Sequence, residues 1–232
     1  MARSVLRNDI IDGIKAGLPI VISAAPFGLL FGALAVKNGF TAGEAVLMSA
    51  TVYAGASQMV GLELFGQNIA PWLVAFSIFA VNFRHVLYSA AVGRRIADWP
   101  APARWLGFFF LVDPQFAETE RRSERFGHVS VAWYFAMALT IYVTWVAEGW
   151  LGARFGALVT DPHAYGIDFL LPVYFLGMVM GFRSRPLWLP VVGASAAMSI
   201  LAYHVVGSPW HVSLGALAGV LLAAAFPPQQ EC

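Results

Sequence analysis

The chain has one cysteine, and it stands last of 232 residues, at Cys232. An internal disulfide, a cysteine metal site and a buried thiol nucleophile are thereby excluded. Charge is scarce as well. Only 12% of residues are Asp, Glu, Lys or Arg, about half the share of an ordinary soluble domain, while 59% are apolar. A formal charge of +1 offers no basic patch, so nucleic acid is not an expected partner. No Gly-x4-Gly-Lys-Ser/Thr loop is present to bind ATP, and the residues call for no cofactor and no metal.

What the chain does have is apolar segments joined by short connectors. This predicts an all-α fold, a polytopic membrane helical bundle of seven to eight transmembrane segments within a single domain, 1–232, with the lipid bilayer as its surroundings. The first run follows Arg3, Arg7 and Lys15, as a signal peptide would, but it is long enough to span and reads as a retained helix. Within that run, 13–36, Pro19 and Pro26 remove backbone donors and predict a broken helix.

The second segment, 44–65, reads as one helix with Ser49, Tyr53 and Ser57 on a single stripe and Gln58 beside it. The third starts at the Pro71-Trp72 corner and runs to Val92, placing Asn82, His85 and Ser89 on one face and Arg84 with Tyr88 on the next. The run 105–117 is shorter than a normal span and contains Asp113-Pro114, so it reads as a half-helix or re-entrant segment. The charged connector 120–125 reads as a solvated loop. Further segments are expected at 129–151, 169–182, 187–206 and 210–226.

Polar groups inside apolar segments are costly, which singles out Ser57, Gln58, Asn82, Arg84, His85 and Asp113. The plain alternatives are an interhelical hydrogen bond for Gln58 and snorkelling for Arg84. There is also an internal echo. Gly55-Ala56-Ser57 followed by Pro71-Trp72 recurs, at the same spacing, as Gly193-Ala194-Ser195 followed by Pro209-Trp210. Gly13-Ile14 and Leu18-Pro19 are echoed by Gly166-Ile167 and Leu171-Pro172. This suggests an internal three-helix repeat, 13–92 and 166–226, of the kind secondary transporters carry. Orientation stays open: eight spans put eight Lys and Arg inside against five, and seven spans put nine against four.

Pro19, Ala25-Pro26-Phe27-Gly28, Ala54-Gly55-Ala56-Ser57-Gln58, Asn82-Phe83-Arg84-His85 and Asp113 together resemble the AzlC-like branched-chain amino-acid permease family. The resemblance implies the large subunit of a bacterial inner-membrane exporter of branched-chain amino acids, valine-like and extending to methionine, working with a small AzlD-like membrane subunit. It implies no enzymatic activity. At Asp113 the chain reads Asp-Pro-Gln, where an acidic residue is expected directly after the aspartate.

A zwitterionic apolar substrate needs donors, acceptors and a dry pocket. The expected substrate site is Pro26, Phe27 and Gly28, with backbone groups freed by the proline, together with Ser57, Gln58 and Asn82. Phe83 would help Phe27 to shape the pocket. Arg84, His85 and Asp113 form the expected polar network, with His85 or Asp113 carrying a coupling proton. The competing readings are an intramembrane serine hydrolase using Ser57 and His85, and a non-transporting membrane assembly subunit. Against the hydrolase, Met59 stands where a nucleophile elbow needs glycine.

Overall fold

The computed structural model describes residues 2–65, 71–156, 173, 176, 177, 179–207 and 210–226, and every regular element among them is an α-helix. The first, α1 (Ala2–Lys37), is unbroken, with Pro19 and Pro26 inside it, so the expected break is not there. The reason lies in its neighbour. That neighbour is α8 (Val131–Phe155), which six helices separate from α1 in the chain, yet it runs alongside α1 in the same direction. Gly13 sits against the Trp133 carbonyl, Gly17 against Thr140, Gly28 against Glu148 and Gly32 against the Gly149 carbonyl. Gly152 returns the fit on the Leu29 carbonyl. These glycines are the contact surface that clamps the proline turns in line.

The second segment is not one span. It is two helices, α2 (Ala42–Val52) and α3 (Gly55–Phe65), folded back on each other. Thr41 and Glu44 form a capping box that starts α2. The chain reverses at Tyr53-Ala54; Gln58 then donates to the Ser49 hydroxyl at 3.2 Å, and the Phe65 ring returns to within 5.7 Å of Phe40. Each arm is about 16 Å long, roughly half the hydrocarbon thickness. Phe31, Ala35, Ala45 and Leu62 close the base of this hairpin at the far end of α1.

The third segment is α4 (Pro71–Asn82) and α5 (Arg84–Arg95), interrupted only at Phe83, whose φ of −54° and ψ of −29° remain helical. A second hairpin follows, α6 (Ala101–Phe109) and α7 (Asp113–Phe126), reversing at 110–112. Asp113-Pro114 opens a helix, where the missing proline donor costs nothing. The stretch 120–125 is therefore helical, a correction to the solvated loop. Its charges have partners that a loop would not offer: Glu120 is buried and paired with Arg95 at 3.2 Å, and Arg122 holds Asp9 at 2.9 Å while lying over the Trp133 ring.

The main core gathers around Val92, Ile96, Trp99, Leu111, Tyr134 and Met137. Two buried hydrogen bonds fix it, from Tyr134 to the Gly107 carbonyl at 2.7 Å and from Trp99 to the Val129 carbonyl at 3.0 Å. The expected segments at 187–206 and 210–226 are α9 (Trp188–Val205) and α10 (Trp210–Ala225). Trp210 meets Phe76 of α4 at 5.1 Å. Most of the segment expected at 169–182, and the echo at 166–172, lie outside the described residues. The two Gly-Ala-Ser triplets differ locally: the first opens α3, whereas the second lies within α9, where Ser195 receives Gly215 and Gly219. Among the described residues α1, α8 and α9 are long and apolar enough to cross a membrane.

Candidate functional site

The interruptions at Tyr53-Ala54, Phe83 and 110–112 lie at one level of the bundle, and the two hairpin tips touch there. Tyr53 stacks on Phe109 at 6.2 Å and meets Phe110 edge-on at 6.2 Å. Its φ of 38° is left-handed, a conformation that costs a residue with a side chain roughly 1–2 kcal/mol. Ring contacts hold it, the nearest being Tyr142 at 4.9 Å. The Tyr142 hydroxyl also donates to the Ala50 carbonyl at 2.9 Å, which the end of α2 leaves without a helical partner.

Between the tips lies a cavity with about 630 Å³ of atom-free space, part of it open to the surroundings. Ala24 and Phe27 of α1, with Ile141 and Trp145 of α8, give it apolar walls. Two helix starts face it: Gly55 and Ala56 of α3, and Asp113 and Pro114 of α7. The first turn of a helix presents backbone N–H groups with no intrahelical acceptor, so the α3 start is suited to an anionic group, whereas the α7 start brings the Asp113 carboxylate and Pro114, which has no N–H. Gly55 lets the α3 backbone come this near, since a side chain there would press on the Trp145 ring at 2.9 Å.

Behind the cavity the polar residues lock the tips to one another. Gln58 is fully buried; its amide donates to Ser49, and its carbonyl oxygen accepts from the Trp145 indole at 3.1 Å. Ser57 donates to the Asn82 side chain at 2.6 Å, tying α3 to α4. Arg84 and Asp113 form an ion pair at 3.1 Å between α5 and α7, and the Tyr88 hydroxyl donates to the same carboxylate at 2.8 Å. Tyr88 is itself stacked on Phe116 at 4.4 Å. The His85 ring nitrogen Nδ1 lies 3.2 Å from the Asn82 carbonyl.

Of the residues expected from sequence, Phe27 and Asp113 line the cavity. Ser57, Gln58 and Asn82 form its frame, and Arg84 reaches it through Asp113. Pro26 and Gly28 are not on the lining, and Gly28 faces Glu148. The Ser57 hydroxyl donates its hydrogen bond to Asn82, and the His85 ring nitrogen Nδ1 faces the Asn82 carbonyl. Tyr53, Met59, Ile141 and Trp145 were missed as lining residues. Trp145 carried a signal, because it stands mid-helix while Trp133 and Trp150 sit nearer the ends where belt tryptophans belong.

Comparison with known proteins bears on this site. The family model described as AzlC protein matches residues 19–159, which contain both hairpins and every cavity residue named above. Inner membrane protein YgaZ of Escherichia coli is 30% identical over 84% of this chain and 83% of its own length. An uncharacterized membrane protein of Archaeoglobus fulgidus is 29% identical over 91% of this chain and 92% of its own. The branched-chain amino acid transport protein AzlC of Bacillus subtilis is 24% identical over 68% of this chain and 62% of its own. No solved structure gives a significant match. With its apolar helices and these relatives, the chain is a membrane protein, and it belongs to the AzlC protein family.

Proposed function

We propose that this chain is a secondary transporter that exports branched-chain amino acids across the bacterial inner membrane, as the large subunit beside a small AzlD-like partner. One observation carries the reading: an apolar cavity bounded by two helix starts at the level where the helices are interrupted. Interrupted helices are how transporters bring backbone groups to a substrate inside the membrane. The substrate carboxylate would lie at the start of α3, on the N–H groups of Gly55 and Ala56. Its ammonium would turn to Asp113, and its branched side chain to Phe27, Met59 and Trp145. Arg84, His85 and Asp113 remain the polar network for a coupling proton, with Asp113 touching both the cavity and the ion pair. The relative named for branched-chain amino acid transport supports the substrate class.

Efflux of preloaded valine, isoleucine and methionine, with and without the small subunit, tests this. Ala56→Trp fills the cavity from the α3 start and is expected to abolish efflux at normal membrane abundance. Unchanged efflux in that variant would remove the cavity from the transport path. Absence of efflux from the unaltered protein, with the small subunit present, would remove the substrate assignment.

A further inference from the structure

A second and larger cavity, with about 1510 Å³ of atom-free space, opens beside the first. Ile20 and Pro114 line both, so the two meet between α1 and α7. One stripe of each helix runs through them. On α1 it passes from Pro19 and Ser23 to Ala24 and Phe27, and on α7 from Glu124 and Arg121 up to Pro114. The opposite stripe of α7, Gln115, Thr119 and Ser123, is buried against the bundle, so α7 turns its charged face to the cavity. At the mouth the charges alternate in sign, with Glu118 paired to Arg121 and Glu124 paired to Arg185, both at 2.6 Å.

The end on which this cavity opens can be identified. Asp9–Arg122, Arg95–Glu120 and Glu124–Arg185 join the start of α1, the end of α5, the end of α7 and residues 183–185 at one end of the bundle. That end also holds the starts of α6 and α8, through the Trp99 bond to Val129. Eleven of the fourteen Lys and Arg lie on it: Arg3, Arg7, Lys15, Arg94, Arg95, Arg104, Arg121, Arg122, Arg125, Arg183 and Arg185. Lys37 and Arg154 lie at the other end, and Arg84 lies between. Both counts from sequence, eight against five and nine against four, threaded α2 and α3 across the membrane as one helix, and the first also threaded 105–117 across. As a hairpin they begin and end on the side of Lys37, and eleven against two is a cytoplasmic end by the excess of positive charge.

We infer that the larger cavity is the cytoplasmic vestibule of the transport path, and that the molecule is open to the cytoplasm and closed on the other face by the α2–α3 hairpin. This rests on the transporter reading for its substrate, a zwitterion that finds a partner for each end among the mixed charges of the mouth. The closure is visible in Leu62, Phe31, Ala35 and Ala45, all buried where the hairpin meets the far ends of α1 and α8.

Replacing Cys232 with serine leaves no thiol, so single cysteines can be read one at a time. Ser23→Cys puts a thiol halfway along α1, on the vestibule wall. Ser184→Cys marks the mouth, and Asn38→Cys marks the turn after α1 at the opposite end. A sulfonated, membrane-impermeant maleimide is added to inside-out and to right-side-out vesicles. Ser23→Cys and Ser184→Cys are expected to label only in inside-out vesicles, and Asn38→Cys only in right-side-out ones. The reverse pattern overturns the orientation. Loss of Ser23→Cys labelling from both faces, with Ser184→Cys still labelled, overturns the vestibule. Labelling is independent of substrate: inward labelling together with absent valine efflux would keep the vestibule and discard the amino-acid reading.

Discussion

The hairpins α2–α3 and α6–α7 share a plan and differ in what holds them. Both reverse at the same level, and both send a helix start into the same cavity. The first is apolar and shut. Its polar residues Ser49 and Gln58 bond to one another, with Gln58 also accepting from Trp145 of α8, its base is sealed by Leu62 and Phe31, and its tip is anchored by the strained Tyr53 among aromatic rings. The second is amphipathic, with α7 exposing Glu118, Arg121 and Glu124 to an open cavity, where Glu118 and Arg121 pair within the helix and Glu124 pairs with Arg185. Apolar closure is lost all at once, whereas exposed ion pairs exchange singly and at small cost. On the proposed reading α2–α3 is a fixed plug and the movable lining is only the cavity face of α7, whose other charges are fastened by Arg84–Asp113, Arg95–Glu120 and Asp9–Arg122.

The deepest link of the second hairpin gives the largest test. Asp113→Ala takes from Arg84 the carboxylate that it holds at 3.1 Å, and is expected to destabilise the protein by about 2–3 kcal/mol, as loss of a hydrogen bond to a charged group does. Thermal unfolding in detergent measures it. Arg84→Gln combined with Asp113→Asn should recover most of that loss, because two neutral groups can still bond; failure to recover would mean that the pair is not what joins α5 to α7. Next comes the frame of the first hairpin. Gln58→Leu leaves the Trp145 indole and the Ser49 hydroxyl without this partner and is expected to cost about 1–2 kcal/mol in the same assay. A smaller change would mean that apolar packing alone holds the plug.

How much of this could be read beforehand differs by segment, for physical reasons. The long helices α8, α9 and α10 follow from apolar runs with turn residues at their ends. The α6–α7 reversal was legible because the run 105–117 is too short to span and carries Asp113-Pro114. The α2–α3 reversal was not. A run of apolar residues from 44 to 65 has the same hydropathy whether it crosses once or folds at the middle, and Tyr53 is no turn former. The prolines of α1 misled in the opposite direction, since whether a proline breaks a helix depends on the neighbour beside it, here the close-packed α8. For the site, the motif residues were legible as a group, because polar side chains in apolar runs stand out. Their division into lining and frame depends on which way each faces at a tip that the sequence does not announce.

The smallest expected effect on stability is the most telling for the comparison. The Glu124–Arg185 pair spans the vestibule mouth with side chains 55% and 44% exposed, so water and salt screen it. Glu124→Gln is expected to shift stability by less than about 1 kcal/mol. Its effect should fall instead on the rate of efflux and on how that rate responds to salt, because the charge lies at the mouth proposed for substrate entry and where α7 meets residue 185. The salt response of the unaltered protein should shrink in the variant, while thermal unfolding in detergent stays nearly the same. A destabilisation as large as that of Asp113→Ala would contradict this. It would mean that the mouth of the second hairpin is fastened as firmly as its tip, and the distinction between a fixed plug and a movable lining would then have no basis.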